Sequence, residues 1–142
     1  MSKVNIGIDP DVSKSGVAYI YNDEIGLYNM TFFELFDYLK SSIGEPYETF
    51  VVVEGGWLNK SNWHKSEKGS AALNAKIGSH TGANHETGKK IVEMLEYLGI
   101  AYKVAKPTKS KIKAEMFKKI TKIEGRTNQE QRDAYMLIHG LK

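Results

Sequence analysis

Four acidic residues carry the first sign of chemistry in this chain: Asp9, Glu54, Glu130 and Asp133. Asp9 and Glu54 each close a short apolar run, KVNIGID and FVVVE, while Glu130 and Asp133 lie three apart in a helical stretch, which turns them the same way. Carboxylates gathered at one place repel one another, so some must take up protons unless a cation compensates. Divalent ions do so, and two of them about 3.5–4 Å apart bridge a phosphodiester, one activating the attacking water and the other stabilising the leaving oxygen. The chain has no cysteine, which removes disulfides and thiolate ligands and leaves carboxylates, histidines and amides as possible metal ligands, a set that favours a hard ion such as Mg²⁺, with Mn²⁺ as an alternative.

Each acid also has a plainer role open to it. Asp9-Pro10-Asp11 is ordinary turn chemistry, and Glu54 before Gly55-Gly56 could be a strand-end charge. Thr127-Asn128-Gln129-Glu130 fits a capping box in which Glu130 returns to the Thr127 amide, a role that competes with metal ligation.

The elements that must position these acids are readable as hydrophobic pattern. Lys3–Asp9 and Gly16–Tyr21 read as strands, Asn22-Asp23 as the turn after them, and Ile25–Met30 as a third strand of an antiparallel meander. Thr31 is the expected N-cap of a helix with an apolar stripe of Phe32, Leu35, Phe36 and Leu39, ending near Gly44–Pro46. Phe50–Val53 has the composition of a central strand covered on both faces. A polar loop with Trp57 and Trp63 follows, then a long helical pattern that Gly78, Gly82 and Gly88 interrupt, a fifth strand at Ile100–Val104, a helix over Ile112–Ile120 and a last helix from Thr127 to Gly140. If strands one and four pair in parallel, their C-terminal ends bring Asp9 and Glu54 into one site.

At 142 residues, with no internal repeat or linker, one domain over residues 1–142 is expected. No long apolar run opens the chain, so a cytoplasmic protein with no membrane partner is expected. Residues 1–102 carry 9 Lys against 13 Asp or Glu, whereas residues 103–126 carry 8 Lys and 1 Arg against 2 Glu, so the basic charge sits in one segment. Such a run is either a solvated helix face or an electrostatic footprint for phosphates. His64, His80, His85 and His139 lack the spacing of a zinc pair, although His80 and His85 could contact phosphate. Trp57 and Trp63 could stack on an unpaired base or anchor their loop.

The run Ile6-Gly7-Ile8-Asp9-Pro10, with Ser15-Gly16 opening the next strand, resembles the first motif of the RuvC family of Holliday junction resolvases. Val51-Val52-Val53-Glu54 resembles the second, Glu130-Gln131-Arg132-Asp133-Ala134-Tyr135 the third, and Lys76-Ile77-Gly78 with Gly82 the Gly-containing helix between them. This resemblance implies an α/β RNase H-like fold, a mixed five-stranded sheet flanked by helices, acting as an endodeoxyribonuclease on four-way DNA junctions in a bacterial cell or phage-infected host. It further implies two Mg²⁺ per site, with Asp9 between both ions, Glu54 and Asp133 completing separate shells, and Glu130 a further ligand or outer-sphere base. A two-fold junction implies a homodimer, with Ala71–Leu98 as the helix expected to form it. Lys106, Lys109, Lys111, Lys113, Trp57 and His80 are the expected DNA contacts. Two alternatives stay open: a related nuclease cutting flaps or RNA–DNA hybrids, and a junction-binding module without turnover. An actin-like ATPase shares the Ile-Gly-Ile-Asp start but needs two such domains, which 142 residues do not hold.

Overall fold

Two-residue alternation in the strands decides which helices each face of the sheet receives. The computed structural model describes residues 2–58, 71–108 and 110–142, and residues 71–78 in backbone only. Strands β1 (Ser2–Asp9), β2 (Ser15–Tyr21) and β3 (Glu24–Met30) form the meander. Asn22 and Asp23, both at positive φ, make the two-residue hairpin turn between β2 and β3. Helix α1 (Phe32–Ser41) starts at Thr31, whose side chain accepts from the Glu34 amide while Glu34 returns to the Thr31 amide. Then come β4 (Tyr47–Glu54), a 3₁₀ turn at Gly56–Leu58, α2 (Ala71–Leu98), β5 (Ala101–Ala105), α3 (Ala114–Thr121) and α4 (Gln129–Met136).

The sheet order is β3-β2-β1-β4-β5, with β1–β2 and β2–β3 antiparallel and β1–β4 and β4–β5 parallel. Val4, Ile6, Ile8, Val17, Val51 and Val53 face α1 and α2, meeting Leu35, Leu39, Ile91 and Leu95. Ala18 and Val52 face the other way, against Phe117 of α3 and Ala134, Tyr135 and Ile138 of α4. Val51, Val52 and Val53 are all fully buried, as a strand covered on both faces requires. The result is the expected mixed five-stranded sheet between helical layers.

Three sequence expectations need correction. Helix α2 runs unbroken past Gly78, Gly82 and Gly88, because packing of its Ile91–Leu95 face outweighs the roughly 1 kcal/mol that each glycine costs a helix. Helix α3 begins at Ala114 rather than Ile112. Helix α4 is shorter than Thr127–Gly140: Asn128 is its N-cap, Gln131 completes the capping box, and the helix ends at Met136, with Gly140 at positive φ beyond it. Thr127 stays outside because its carbonyl and hydroxyl oxygens accept from the Arg132 guanidinium.

Candidate metal centre at the sheet edge

Strand register decides where the acids point. Ile8 pairs with Val53 across the parallel β1–β4 ladder, so Asp9 and Glu54 are the next residues of adjacent strands, at spacings of about 4.8 Å. Asp9 shares a face with Gly7 and Glu54 with Val52, so both project toward α4 rather than α2. Helix α4 can lie close because Gly7 and Gly16 have no side chains: a Cβ on Gly7 would stand 2.0 Å from the Ala134 carbonyl oxygen, and one on Gly16 would stand 2.1 Å from that of Glu130. Asp133, next to Ala134, is thereby lowered onto the same edge. Asp9, Glu54 and Asp133 each bring a carboxylate oxygen within 4.8 Å of the other two.

These acids are largely withdrawn from water, with the Glu54 and Asp133 side chains 12% and 11% exposed. Burial, then the charges of Glu54 and Asp133 and a hydrogen bond with Glu54, push the Asp9 carboxyl up to about 8. Lys111 opposes this. Its Nζ donates to Asp133 Oδ2 at 3.0 Å and lies 3.7 Å from Glu54 Oε1. Burial works against the Lys111 charge, but the hydrogen bond to Asp133 and the surrounding carboxylates outweigh it and hold its pKa above the ordinary lysine value. Lys111 thus sits where a counter-cation is needed, a placement that sequence reasoning, which treated it as one lysine among several, did not anticipate. Gln129 was also missed: its Nε2 donates to Asp133 Oδ1 at 2.8 Å.

Glu130 is not among the three converging acids, nor does it cap α4, since Gln131 does so. Its backbone lies over Gly16, the residue that pairs with Asp9. Trp57 packs its indole where a Gly88 Cβ would be, at 2.4 Å, and Pro10 adjoins the same point, so the tryptophan anchors its loop to α2 beside Asp9. His85 lies against Gly56, and burial, then the Lys89 charge, lower its pKa. Asn84 Oδ1 accepts from the Val12 amide at 2.8 Å, so one turn of α2 braces the loops that follow Asp9 and Glu54. His80 is exposed on α2, and Lys106 and Lys113 are exposed on the segment after β5. Lys106 and Lys111 line a small cleft of about 50 Å³ with Glu54 and Asp133. Lys109, Trp63 and His64 lie outside the described residues.

No family model and no curated protein matches the sequence. Among solved structures, RuvC of Thermus thermophilus in complex with Holliday junction substrate is similar at 14% identity, covering 95% of this chain and 89% of that one with a TM-score of 0.49. A second Thermus thermophilus RuvC structure is similar at 15% identity, covering 94% and 90% with a TM-score of 0.47.

Proposed function

We propose that this chain is a divalent-metal-dependent endonuclease whose substrate is branched DNA, foremost the four-way junction, and that it acts as a homodimer. The observation that carries this reading is the convergence of Asp9, Glu54 and Asp133 from three separate elements onto one buried edge. The site fits a hard cation: its donors are carboxylate oxygens alone, and burial with mutual repulsion makes the fully ionised cluster unfavourable without added positive charge. Bound Mg²⁺ or Mn²⁺, two ions in our reading, supplies Lewis acidity to a phosphodiester and neutralises charge growing on its oxygens.

The chain's own residues divide the remaining work. Asp9, which feels the charges of both Glu54 and Asp133, would be the shared ligand, with the other two as flanking ligands. Glu130, over Gly16, is assigned as an outer carboxylate that can hold a proton of the attacking water. Lys111 relieves the repulsion of Glu54 and Asp133 and meets the scissile phosphate. Lys106, Lys109 and Lys113 hold the DNA backbone and His80 extends that contact, which positions the substrate without reading its sequence. Trp57 serves by keeping Pro10 and the Glu54 loop against α2. A four-way junction has two-fold symmetry, so two symmetric cuts call for a two-fold dimer; the exposed Tyr97 of α2 and Phe33 of α1 supply apolar surface for it.

The test is cleavage of a labelled mobile four-way junction beside duplex, flap and RNA–DNA hybrid, with Mg²⁺, with Mn²⁺ and with chelator. Paired symmetric nicks that need metal and vanish in Asp9→Asn are expected. Preference for flaps or hybrids would keep the chemistry and replace the substrate. Tight junction binding with no cutting under either metal would refute the nuclease and leave a binding module.

A further inference from the structure

Asp133 is held from two sides, and the second hold leads away from the carboxylates. Lys111 Nζ donates to its Oδ2, the side it shares with Glu54, while Gln129 Nε2, one helical turn earlier on α4, donates to Oδ1. The same Gln129 nitrogen donates to the Ile112 carbonyl at 3.3 Å. Arg132 Nε donates to that carbonyl too, at 3.3 Å. Its Nη1 donates to the Thr127 carbonyl at 2.8 Å and to the Thr127 hydroxyl at 2.9 Å, and its Nη2 to Gln129 Oε1 at 3.1 Å. Among the described residues Arg132 has no carboxylate partner. Its guanidinium serves as a rigid fork of donors.

The direction of the Gln129 amide follows from this network. Its oxygen accepts from Arg132, so its nitrogen must face Asp133 and Ile112; turned over, the oxygen would oppose a carboxylate and a carbonyl, and the nitrogen would oppose the guanidinium. Ile112 directly follows Lys111, so the lysine that touches Glu54 and Asp133 stands on a backbone that α4 holds by its carbonyl.

We infer that Gln129 and Arg132 are positioning residues of the cleavage site: they strap the Lys111-bearing segment to α4 and fix which oxygen of Asp133 turns to Lys111 and Glu54, so metal affinity and the setting of the basic segment are coupled through the Ile112 carbonyl. The metal half of this inference rests on the proposed nuclease reading. The strap itself does not.

Two substitutions test it. Gln129→Met keeps length and helix propensity and leaves the Asn128–Gln131 capping box intact, while Arg132→Lys keeps the charge but cannot serve Thr127, Ile112 and Gln129 together. In chelator, hydrogen exchange over residues 110–113 and the rate of Lys111 acetylation are read by mass spectrometry; loss of a hydrogen bond to a charged group predicts a rise of about tenfold in both variants. Mn²⁺ affinity, read by calorimetry, is expected to weaken about 10–100-fold, as for other residues that orient metal ligands. A purely electrostatic role would spare Arg132→Lys, and that result overturns the inference. So do exchange, acetylation and Mn²⁺ affinity all within about twofold of wild type, the change that a lost hydrogen bond must exceed. If the wild type binds no Mn²⁺, the nuclease reading fails instead, and the chelator measurements still decide: a rise sustains the strap, and no rise sinks it.

Discussion

Removing the charge of Asp9 should stabilise the metal-free protein, and by more as pH rises. Asp9 titrates near 3.8 in an unfolded chain and near 8 in the fold, because burial and the charges of Glu54 and Asp133 disfavour its ionised form. Between those values the native state holds a proton that the unfolded state has released, so the native state binds more protons and stability falls as pH rises from about 4 to about 8. Above about 8 the loss levels off. Each pH unit in that window is worth at most about 1.4 kcal/mol, so from about pH 5 to about pH 8 the upper figure is about 4 kcal/mol, and water entry and Lys111 reduce it to roughly 2 kcal/mol. Asp9→Asn abolishes this titration. Urea unfolding of both proteins in chelator, at about pH 5 and about pH 8, should show the stability advantage of Asp9→Asn growing by roughly 2 kcal/mol between the two conditions. Titrations common to both proteins cancel in this difference. Saturating Mg²⁺ or Mn²⁺ should reverse the ranking at the higher pH, since ligand binding stabilises only the chain that keeps the carboxylate. An advantage that stays constant across the window to within about 0.5 kcal/mol would refute the account of a buried, self-repelling cluster.

Further outcomes follow from packing and charge. Gly7→Ala places a Cβ 2.0 Å from the Ala134 carbonyl oxygen, so α4 must separate from β1 by about 1 Å, lowering stability by about 1–3 kcal/mol and cleavage by about 10²-fold. A thermal melt and a cleavage time course check this, and an unchanged rate would mean that α4 does not set Asp133. Lys106→Ala with Lys113→Ala should weaken binding to all DNA substrates alike and reduce the slope of log affinity against log salt by about 2. A lost preference for one sequence with an unchanged slope would contradict backbone contact. Asn84→Ala removes the acceptor of the Val12 amide and should cost about 1 kcal/mol in denaturant unfolding, while Asn84→Asp, which still accepts, should retain most of it.

Much of this protein is legible before folding because its signals are local. The alternation of KVNIGID and GVAYIY, the Asn22-Asp23 turn, the Thr31 cap and the all-buried Val51–Val53 run each depend on neighbours in the chain, and each reappears in the fold. The order of elements followed from them, as did the meeting of Asp9 and Glu54 once β1 and β4 paired in parallel. Element ends were less legible. Thr127 has the residue type of an N-cap, yet Arg132, five positions later, takes its oxygens and leaves the cap to Asn128.

The sequence by itself determined which residue types were available: four acids on three separate elements, no thiolate ligand, and a basic segment after β5. Only the tertiary structure decided their company. Nothing in the local context of Lys111 separates it from Lys106 or Lys113; it becomes the partner of Asp133 because the segment after β5 folds back onto α4, 22 residues further along the chain. Glu130 and Asp133 share a helix, yet helix pitch alone could not say which of them converges with Asp9 and Glu54; the contacts of Gly7 and Gly16 with α4 set that. Hydrophobic period and turn chemistry act over a few residues, whereas electrostatic partnership depends on distances of a few ångströms between segments that only packing brings together.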